Sequence, residues 1–219
     1  MIKAAGAALA ALFLFSTPLL TPADAQQRRH VAGEFDHYVL SLSWSPSYCA
    51  TEGAGQRSIQ CSRPYAFMVH GLWPQYVRGY PEFCRTRESD RVPDRLAQQY
   101  LDIIPSPGLI GHQWRKHGSC TGLSQAEYLS VAREAFNEVK IPQEFVLPTG
   151  PIMISPREVE QKFMAANKGL KPDAIAVSCD RRYLREVRIC FSKDLKFTRC
   201  EEVDRNSCRL DRTLMPPVR

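Results

Sequence analysis

The segment HQWRKHG, which begins at His112, carries two histidines, a lysine and a glutamine within six positions. On a helix, residues four apart are neighbours, so His112 would lie beside Lys116. Gln113 would lie beside His117 in the same way. The two histidines are about 140° apart around the helix axis, so they would not chelate one metal ion as an i, i+4 pair does. The pattern predicts a polar cluster at one helix end, in which the histidines have different roles.

A third histidine, His70, follows a short apolar stretch at 66–69 and opens the sequence HGLWP. The glycine and proline of this sequence predict a turn, which would leave His70 at the end of a strand. Imidazole is the side chain best suited to acid–base chemistry near neutral pH, and two histidines from separate segments could supply the acid and the base. His30 and His37 lie outside both segments and are interpreted as ordinary structural histidines.

Hydrophobic periodicity predicts the elements that position these segments. Alternation from Tyr38 to Trp44 predicts a half-buried strand with Ser41 and Ser43 on its polar face. Further strands are predicted at 66–69, 174–179, 183–191 and 195–200. Helices are predicted at 94–104, 109–117, 124–139 and 155–169, the last two opened by capping boxes. Loops are predicted at 50–63 and 78–93. Strands on both sides of a helical middle favour a single α+β domain with a largely antiparallel central sheet flanked by helices.

The first 25 residues, MIKAAGAALAALFLFSTPLLTPADA, have the features of a secretory signal peptide. Their apolar run, residues 4–15, is much shorter than the roughly 20 residues that a membrane span needs. We therefore expect cleavage after Ala25, a catalytic domain at 26–219, no membrane anchor, and a secreted or periplasmic protein.

The chain has a formal net charge of +6. The predicted signal peptide contains one lysine and one aspartate, so the whole net charge belongs to the remaining 194 residues. A positive charge favours anionic partners, although a basic protein of another function would have the same charge. No linker or repeat indicates a second domain.

Eight cysteines in a chain with an export signal predict four disulfides rather than metal ligands. A zinc site is disfavoured because no CxxC pair occurs. Spacing alone leaves every pairing open. The cysteines are Cys49, Cys61, Cys84, Cys120, Cys179, Cys190, Cys200 and Cys208.

FMVHGLWPQ at 67–75 and HQWRKHGSC at 112–120 resemble the two active-site segments of the ribonuclease T2 family, which is related to the plant S-ribonucleases. The family's segments read HGLWP and HEWxKHG(T/S)C. This chain matches the first fully and the second at every fixed position except 113, where Gln113 replaces the usual glutamate. The strand that leads into Cys49 and the cysteines near the C-terminus extend the similarity over most of the chain.

The resemblance implies a metal-independent endoribonuclease that cleaves single-stranded RNA and needs no cofactor. His117 would be the general base on the ribose 2′-hydroxyl, and His70 would protonate the leaving 5′-oxygen. The product would be a 2′,3′-cyclic phosphate, opened later to a 3′-phosphate. His112 and Lys116 would bind the phosphate and stabilise its developing charge. DNA would resist cleavage because it lacks the 2′-hydroxyl, and we expect a monomer.

The resemblance also implies roles for the residues around the histidines. Gln113, unlike glutamate, cannot titrate, and we expect its amide to donate a hydrogen bond to the phosphate. Leu72, Trp73 and Gln75 are expected to contact the substrate. For Trp73 two interpretations stay open: the indole stacks on a base, or it fills the core.

The family's disulfide pattern implies the pairs Cys49–Cys61, Cys84–Cys120, Cys179–Cys208 and Cys190–Cys200. The second of these would tie the loop after the first active-site segment to the end of the second segment. It would thereby fix the two catalytic histidines relative to each other.

Two other functional classes can be tested against this hypothesis. The basic charge and Gln113 would fit a secreted, catalytically inactive protein that binds RNA or a glycan, although all three histidines of the acid–base set are present. A metal-dependent nuclease or phosphodiesterase would need a cluster of carboxylates or histidines, and the sequence contains no convincing one.

Overall fold

A computed structural model describes residues 30–53 and 58–219. The predicted signal peptide lies outside the described residues. The strands are β1 (His37–Trp44), β2 (Phe67–Gln75), β3 (Ile152–Ile154), β4 (Ile175–Cys179), β5 (Leu184–Phe191) and β6 (Thr213–Met215). The helices are α1 (Ser45–Ala50), α2 (Asp94–Gln98), α3 (Pro107–Lys116), α4 (Gln125–Asn137), α5 (Pro156–Ala166) and α6 (Glu201–Arg205). None of the helices in this described part is long and apolar enough to cross a bilayer.

Four strands form the central sheet in the order β2-β1-β5-β4, and every neighbouring pair is antiparallel. Strands β3 and β6 form a second, two-stranded antiparallel sheet. The predicted α+β fold with a largely antiparallel central sheet is therefore confirmed.

One face of the central sheet forms the hydrophobic core with α4 and α5. Leu40 and Val187 from the sheet belong to the same buried cluster as Leu129 and Phe163 from these helices. The opposite face is more polar, but the prediction of a half-buried strand is wrong for β1, whose residues on both faces are mostly buried and whose Ser41 is completely buried. The reason is the position of β1, which lies between β2 and β5 in the sheet.

Strand β2 differs most from the prediction. The expected turn after residue 69 is absent, and the strand continues through HGLWPQ to Gln75. The proline lies in an edge strand, which is where a sheet tolerates this residue. His70 therefore lies within a strand and not at its end.

Both predicted capping boxes are present. Ser124 accepts from the backbone N–H of Glu127 at the start of α4, and the Glu127 carboxylate accepts from the backbone N–H of Ser124. The same arrangement of Ser155 and Glu158 opens α5. These two predicted helices are confirmed. Their C-terminal ends lie two to three residues earlier in the chain than predicted.

Other boundaries are corrected. The predicted helix at 94–104 ends at Gln98 and continues as turns. The predicted strand at 195–200 makes a single bridge, between Phe191 and Phe197. Strands β3 and β6 and helix α6 were not predicted, because elements of three to five residues have too short a hydrophobic pattern to be recognised.

All eight cysteines form disulfides, and the pairs agree with those that the resemblance implied: Cys49–Cys61, Cys84–Cys120, Cys179–Cys208 and Cys190–Cys200. Near the Cys84–Cys120 bridge, the backbone N–H of Phe83 donates to the carbonyl of Lys116 at the end of α3. The loop after β2 is thus attached to α3 by a covalent bond and a hydrogen bond.

Candidate active site

A cavity of about 370 Å³ opens on the polar face of the central sheet, at the edge formed by β2. Its walls come from β1, β2, β5, α3 and α6, together with the loop after β2. The lining residues are Val39, His70, Trp73, Gln75, Tyr80, His112, Gln113, Lys116, His117, Arg188 and Val203. The structure thus brings together the five predicted catalytic residues and two of the three predicted substrate contacts.

Leu72 is the predicted site residue that the structure places elsewhere. Its side chain is completely buried in the core, so it has no surface with which to contact a substrate. Its carbonyl accepts a hydrogen bond of 2.9 Å from the hydroxyl of Tyr128 on α4. Leu72 therefore anchors β2 to the helical layer beneath the cavity.

A β-bulge at His70 gives this residue its position. In the register between β1 and β2, Ser41 pairs with Gly71 and Leu42 pairs with Val69. His70 has no partner on β1. Bulges bend a strand locally and redirect a side chain, and they are common beside active sites.

The bulge also changes which residues of β2 face the core. In a regular strand His70 would share the core face with Leu72, because side chains two apart lie on the same side. Instead Val69 and Phe67 are in the core with Leu72. The extra residue moves His70 to the cavity side, where its ring meets the Trp73 indole edge-on at a centroid distance of 5.4 Å.

The His70 ring contacts a carboxylate that the sequence analysis missed. Nδ1 of His70 lies 2.5 Å from Oε1 of Glu186 on β5. The other oxygen, Oε2, accepts from Nε and Nη2 of Arg188 at 2.9 and 2.7 Å. Burial alone would raise the pKa of the Glu186 carboxyl, but the hydrogen bonds and charges of His70 and Arg188 lower it to about 2. Glu186 is therefore a carboxylate at neutral pH.

Helix α3 presents the second active-site segment. Ser106 caps its start by accepting from the backbone N–H of Leu109, and Pro107 occupies the first helical position. His117 is the C-terminal cap residue, and its backbone N–H donates to the carbonyl of Gln113. His112, Gln113 and Lys116 face the cavity from the same helix.

Gln113 is nearly buried and has a defined amide orientation. Its Oε1 accepts from the indole N–H of Trp73 at 2.8 Å, and an indole can only donate. Nε2 is therefore the donor that the amide can offer to a ligand. A Cβ at Gly71 would lie 2.1 Å from this Oε1, so glycine is required for β2 to approach the amide this closely.

His117 is 7% exposed. Within the described part of the chain its Nδ1 is buried without a hydrogen-bond partner. Burial first, and then the positive charges of Lys116, His112 and His70, lower the pKa of His117 to about 3. The pKa of His112 is also lowered, first by burial and then by Lys116, Arg115 and His70. Both imidazoles are therefore neutral at physiological pH.

Trp73 lies between the two histidines that come from different segments. Its ring centroid is 5.4 Å from that of His117, with the two planes inclined at 33°. Cζ of Arg188 lies 5.3 Å from the indole centroid. The indole is half-buried: it lines the cavity and also packs against a small buried cluster that includes Val39, so both interpretations left by the sequence stay open.

Lys116 has two neighbours in the loop after β2. Its ammonium group is 3.7 Å from the Glu82 carboxylate and 5.7 Å from the centroid of the Tyr80 ring. Tyr80 is 45% exposed and its ring centroid lies 6.0 Å from that of His117. Sequence reasoning missed Tyr80, because an isolated tyrosine in a loop has no pattern that marks it as part of a site.

Among residues 30–53 and 58–219 no group of three or more histidine, cysteine, aspartate or glutamate side chains is arranged to hold a metal ion. The cavity lining includes two cationic side chains, Lys116 and Arg188, and the neutral amide of Gln113. Lys116 lies near the Glu82 carboxylate and Arg188 is paired with Glu186.

The model of the Ribonuclease T2 family matches residues 35–200, and this chain belongs to that family. A ribonuclease from Aeromonas hydrophila is 38% identical over 193 residues, which cover 80% of this chain and 81% of that protein. Family members are RNA-cleaving endoribonucleases, so the chain is an endoribonuclease, as its two active-site segments predicted.

Solved structures show the same fold. An RNase-related protein from Calystegia sepium superimposes with a TM-score of 0.69 at 20% identity, and the match covers 85% of this chain and 99% of that one. RNase NT in complex with 5′-AMP gives a TM-score of 0.55 at 21% identity, covering 75% of this chain and 89% of that one.

Proposed function

We propose that the cavity cleaves single-stranded RNA by transesterification, with His117 as the general base and His70 as the general acid. The observation that carries this proposal is the convergence of the two imidazoles. They come from β2 and from the end of α3, and they line one cavity with Trp73 between them. No step of this reaction needs a metal ion or a cofactor.

His117 suits the role of base because it is neutral at physiological pH. An imidazole must be unprotonated to accept the proton of the 2′-hydroxyl. Its pKa is lowered to about 3 first by burial and then by the charges of Lys116 and His112. A bound phosphodiester brings a negative charge that offsets them and raises the pKa, which makes the imidazole a stronger base when substrate is present.

His70 suits the role of acid because one of its ring nitrogens already has a hydrogen-bond partner in the protein. Nδ1 is held by Glu186, which leaves Nε2 for the substrate. The 2′-oxygen attacks phosphorus, the bond from phosphorus to the 5′-oxygen breaks, and that oxygen takes the proton from Nε2. Water then opens the 2′,3′-cyclic phosphate to a 3′-phosphate, with the two histidines exchanging roles.

The phosphate would be bound by the three remaining side chains of α3 in the cavity. His112 and Gln113 can donate hydrogen bonds to its non-bridging oxygens, and Lys116 can offset the charge that builds on them in the transition state. For Gln113 the donor is Nε2, because Oε1 is occupied by the Trp73 indole.

The base next to the cleaved bond would contact Trp73, Gln75 and Tyr80, which line the same cavity. A stacked base contributes about 1 to 3 kcal/mol of binding energy. The indole N–H of Trp73 is engaged with Gln113, so Trp73 would offer its ring face and not a hydrogen bond.

We further propose that residues 1–25 are a signal peptide, that 26–219 form the catalytic domain, and that the enzyme acts as a monomer outside the cytoplasm. Four disulfides support this location, because disulfides persist in oxidising compartments.

The experiment is digestion of single-stranded RNA and of DNA of the same sequence with EDTA present, followed by analysis of the new 3′-ends. We expect RNA fragments that end in 2′,3′-cyclic phosphate at early times, and intact DNA. Cleavage of DNA, or loss of RNA cleavage with EDTA, would contradict the mechanism. Binding of RNA without cleavage would identify a catalytically inactive binding protein.

A further inference from the structure

We propose that Glu186 is the positioning residue for His70, and that it holds the imidazole so that Nε2 delivers its proton to the leaving 5′-oxygen. This inference rests on the proposed function of His70. Glu186 is 116 positions from His70 in the chain, and neither active-site segment contains it.

Both carboxylate oxygens of Glu186 accept hydrogen bonds. Oε1 is 2.5 Å from Nδ1 of His70, and Oε2 accepts two hydrogen bonds from the guanidinium of Arg188. Glu186 is only 9% exposed. Since a buried carboxylate is stable only when it is paired and hydrogen-bonded, its place and orientation are tightly determined.

The carboxylate also determines which ring nitrogen of His70 carries a fixed hydrogen. A carboxylate can only accept, so Nδ1 must be the donor. Nε2 is then the nitrogen that gains and loses a proton during the reaction. A carboxylate partner of this kind fixes both the tautomer and the orientation of an imidazole.

The central sheet brings the His70 and Glu186 side chains together. His70 on β2 and Glu186 on β5 are separated by β1. The β1 residues between them are small: Ser43 pairs with Glu186, and Ser41 pairs with Arg188. Larger side chains at these two positions would fill the space above β1 and block the contact.

His70 needs this support more than a regular strand residue would. It lies in the bulge and has no register partner on β1, and its side chain is 37% exposed. Within the described part of the chain, the Glu186 carboxylate and the Trp73 ring, which is nearly perpendicular to the imidazole, are contacts that hold the ring.

Substrates with different leaving groups separate proton delivery from general damage. A dinucleoside phosphate releases a 5′-oxygen that must be protonated, because an alkoxide is a strong base. A nucleoside 3′-(4-nitrophenyl phosphate) releases a stable phenolate that needs no proton. Loss of the acid, or of its positioning, should therefore slow the first substrate far more than the second.

We would measure kcat/KM on both substrates for wild type, His70→Ala, Glu186→Gln and the double variant. Glu186→Gln should lower the value for the dinucleoside phosphate by about 10- to 100-fold and that for the nitrophenyl ester by less than about 3-fold. In the His70→Ala background the same substitution should have no further effect on the dinucleoside phosphate. Glu186→Asp, which keeps the charge on a shorter side chain, should recover part of the loss.

Glu160→Gln is the matched control. This half-buried carboxyl on α5 accepts from the Val177 backbone N–H and from the Ser207 hydroxyl, and it does not line the cavity. Glu160→Gln should leave the ratio of kcat/KM for the dinucleoside phosphate to kcat/KM for the nitrophenyl ester unchanged. Thermal unfolding of each variant checks that the variant is folded.

Equal losses on both substrates in Glu186→Gln and Glu186→Asp, with His70→Ala still discriminating between them, would overturn the positioning role alone. If His70→Ala also showed equal losses, the acid role of His70 in the proposed function would be wrong as well.

Discussion

Lowering the pH from 7 to 5 should destabilise the protein through His117. The pKa of this imidazole is about 3 in the folded protein, because of burial and then of the neighbouring positive charges. In an unfolded chain the value is about 6.5. A group whose folded pKa lies below its unfolded pKa stabilises the fold above the unfolded pKa, and this contribution is lost as the pH falls.

The magnitude follows from proton binding. At pH 5 nearly every unfolded chain carries a proton on this imidazole, whereas the folded protein carries almost none. The free energy of unfolding should therefore decrease by about 2 kcal/mol between pH 7 and pH 5 from this group alone. The value hardly depends on the folded pKa, provided that it is well below 5.

The assay is urea unfolding at pH 7 and pH 5, in buffers without phosphate, for wild type and His117→Gln. Glutamine does not titrate, so the variant should lose about 2 kcal/mol less than wild type over the same pH interval. The pKa values of His112 and His37 are also lowered. Both residues contribute to the pH dependence of the free energy of unfolding in the same way in the two proteins, so their contributions cancel in the comparison. Similar pH dependence in the two proteins, with unchanged denaturant slopes, would refute the buried, neutral state of His117.

Two further substitutions test the surroundings of the site. Gln113→Glu keeps the acceptor for the Trp73 indole but replaces the amide donor by a titrating carboxyl. The pH–rate profile of RNA cleavage should therefore change. An unaltered profile and rate would exclude a role for the amide. Tyr128→Phe leaves the buried Leu72 carbonyl without its donor. This substitution should lower the free energy of unfolding by about 1 to 3 kcal/mol. A change below about 0.5 kcal/mol would show that this hydrogen bond does not anchor β2.

The segments that carry the site were predictable because the motifs are short and contiguous. The four groups of α3 were recognised from helical spacing, since His112, Gln113, Lys116 and His117 are brought together by one local element. Helices α4 and α5 were recognised from their capping boxes for the same reason.

The His70 bulge was not predicted, although the sequence contains a signal for it. Phe67, Val69 and Leu72 all lie in the core, yet the step from Val69 to Leu72 breaks the period of two that a regular strand requires. Glycine and proline in the same segment indicated a turn instead. A search for a change of phase in the hydrophobic pattern would have indicated a bulge next to the histidine.

Glu186 and Arg188 were missed because their role depends on pairing between distant strands. Within β5 they alternate with the core residues Val187 and Ile189, which alone indicates an ordinary polar face. Their meaning appears only when β1 and β2 are placed beside β5. Such non-local registers are not encoded in the spacing of any single segment.

The central claim is that two imidazoles perform the proton transfers while the ribose 2′-hydroxyl attacks phosphorus. The most direct test is the rate of RNA cleavage by His70→Ala and His117→Ala, each shown to be folded, with EDTA present. Each variant should lose about 10² to 10⁴-fold in kcat. Retention of the wild-type rate by either variant would contradict the account.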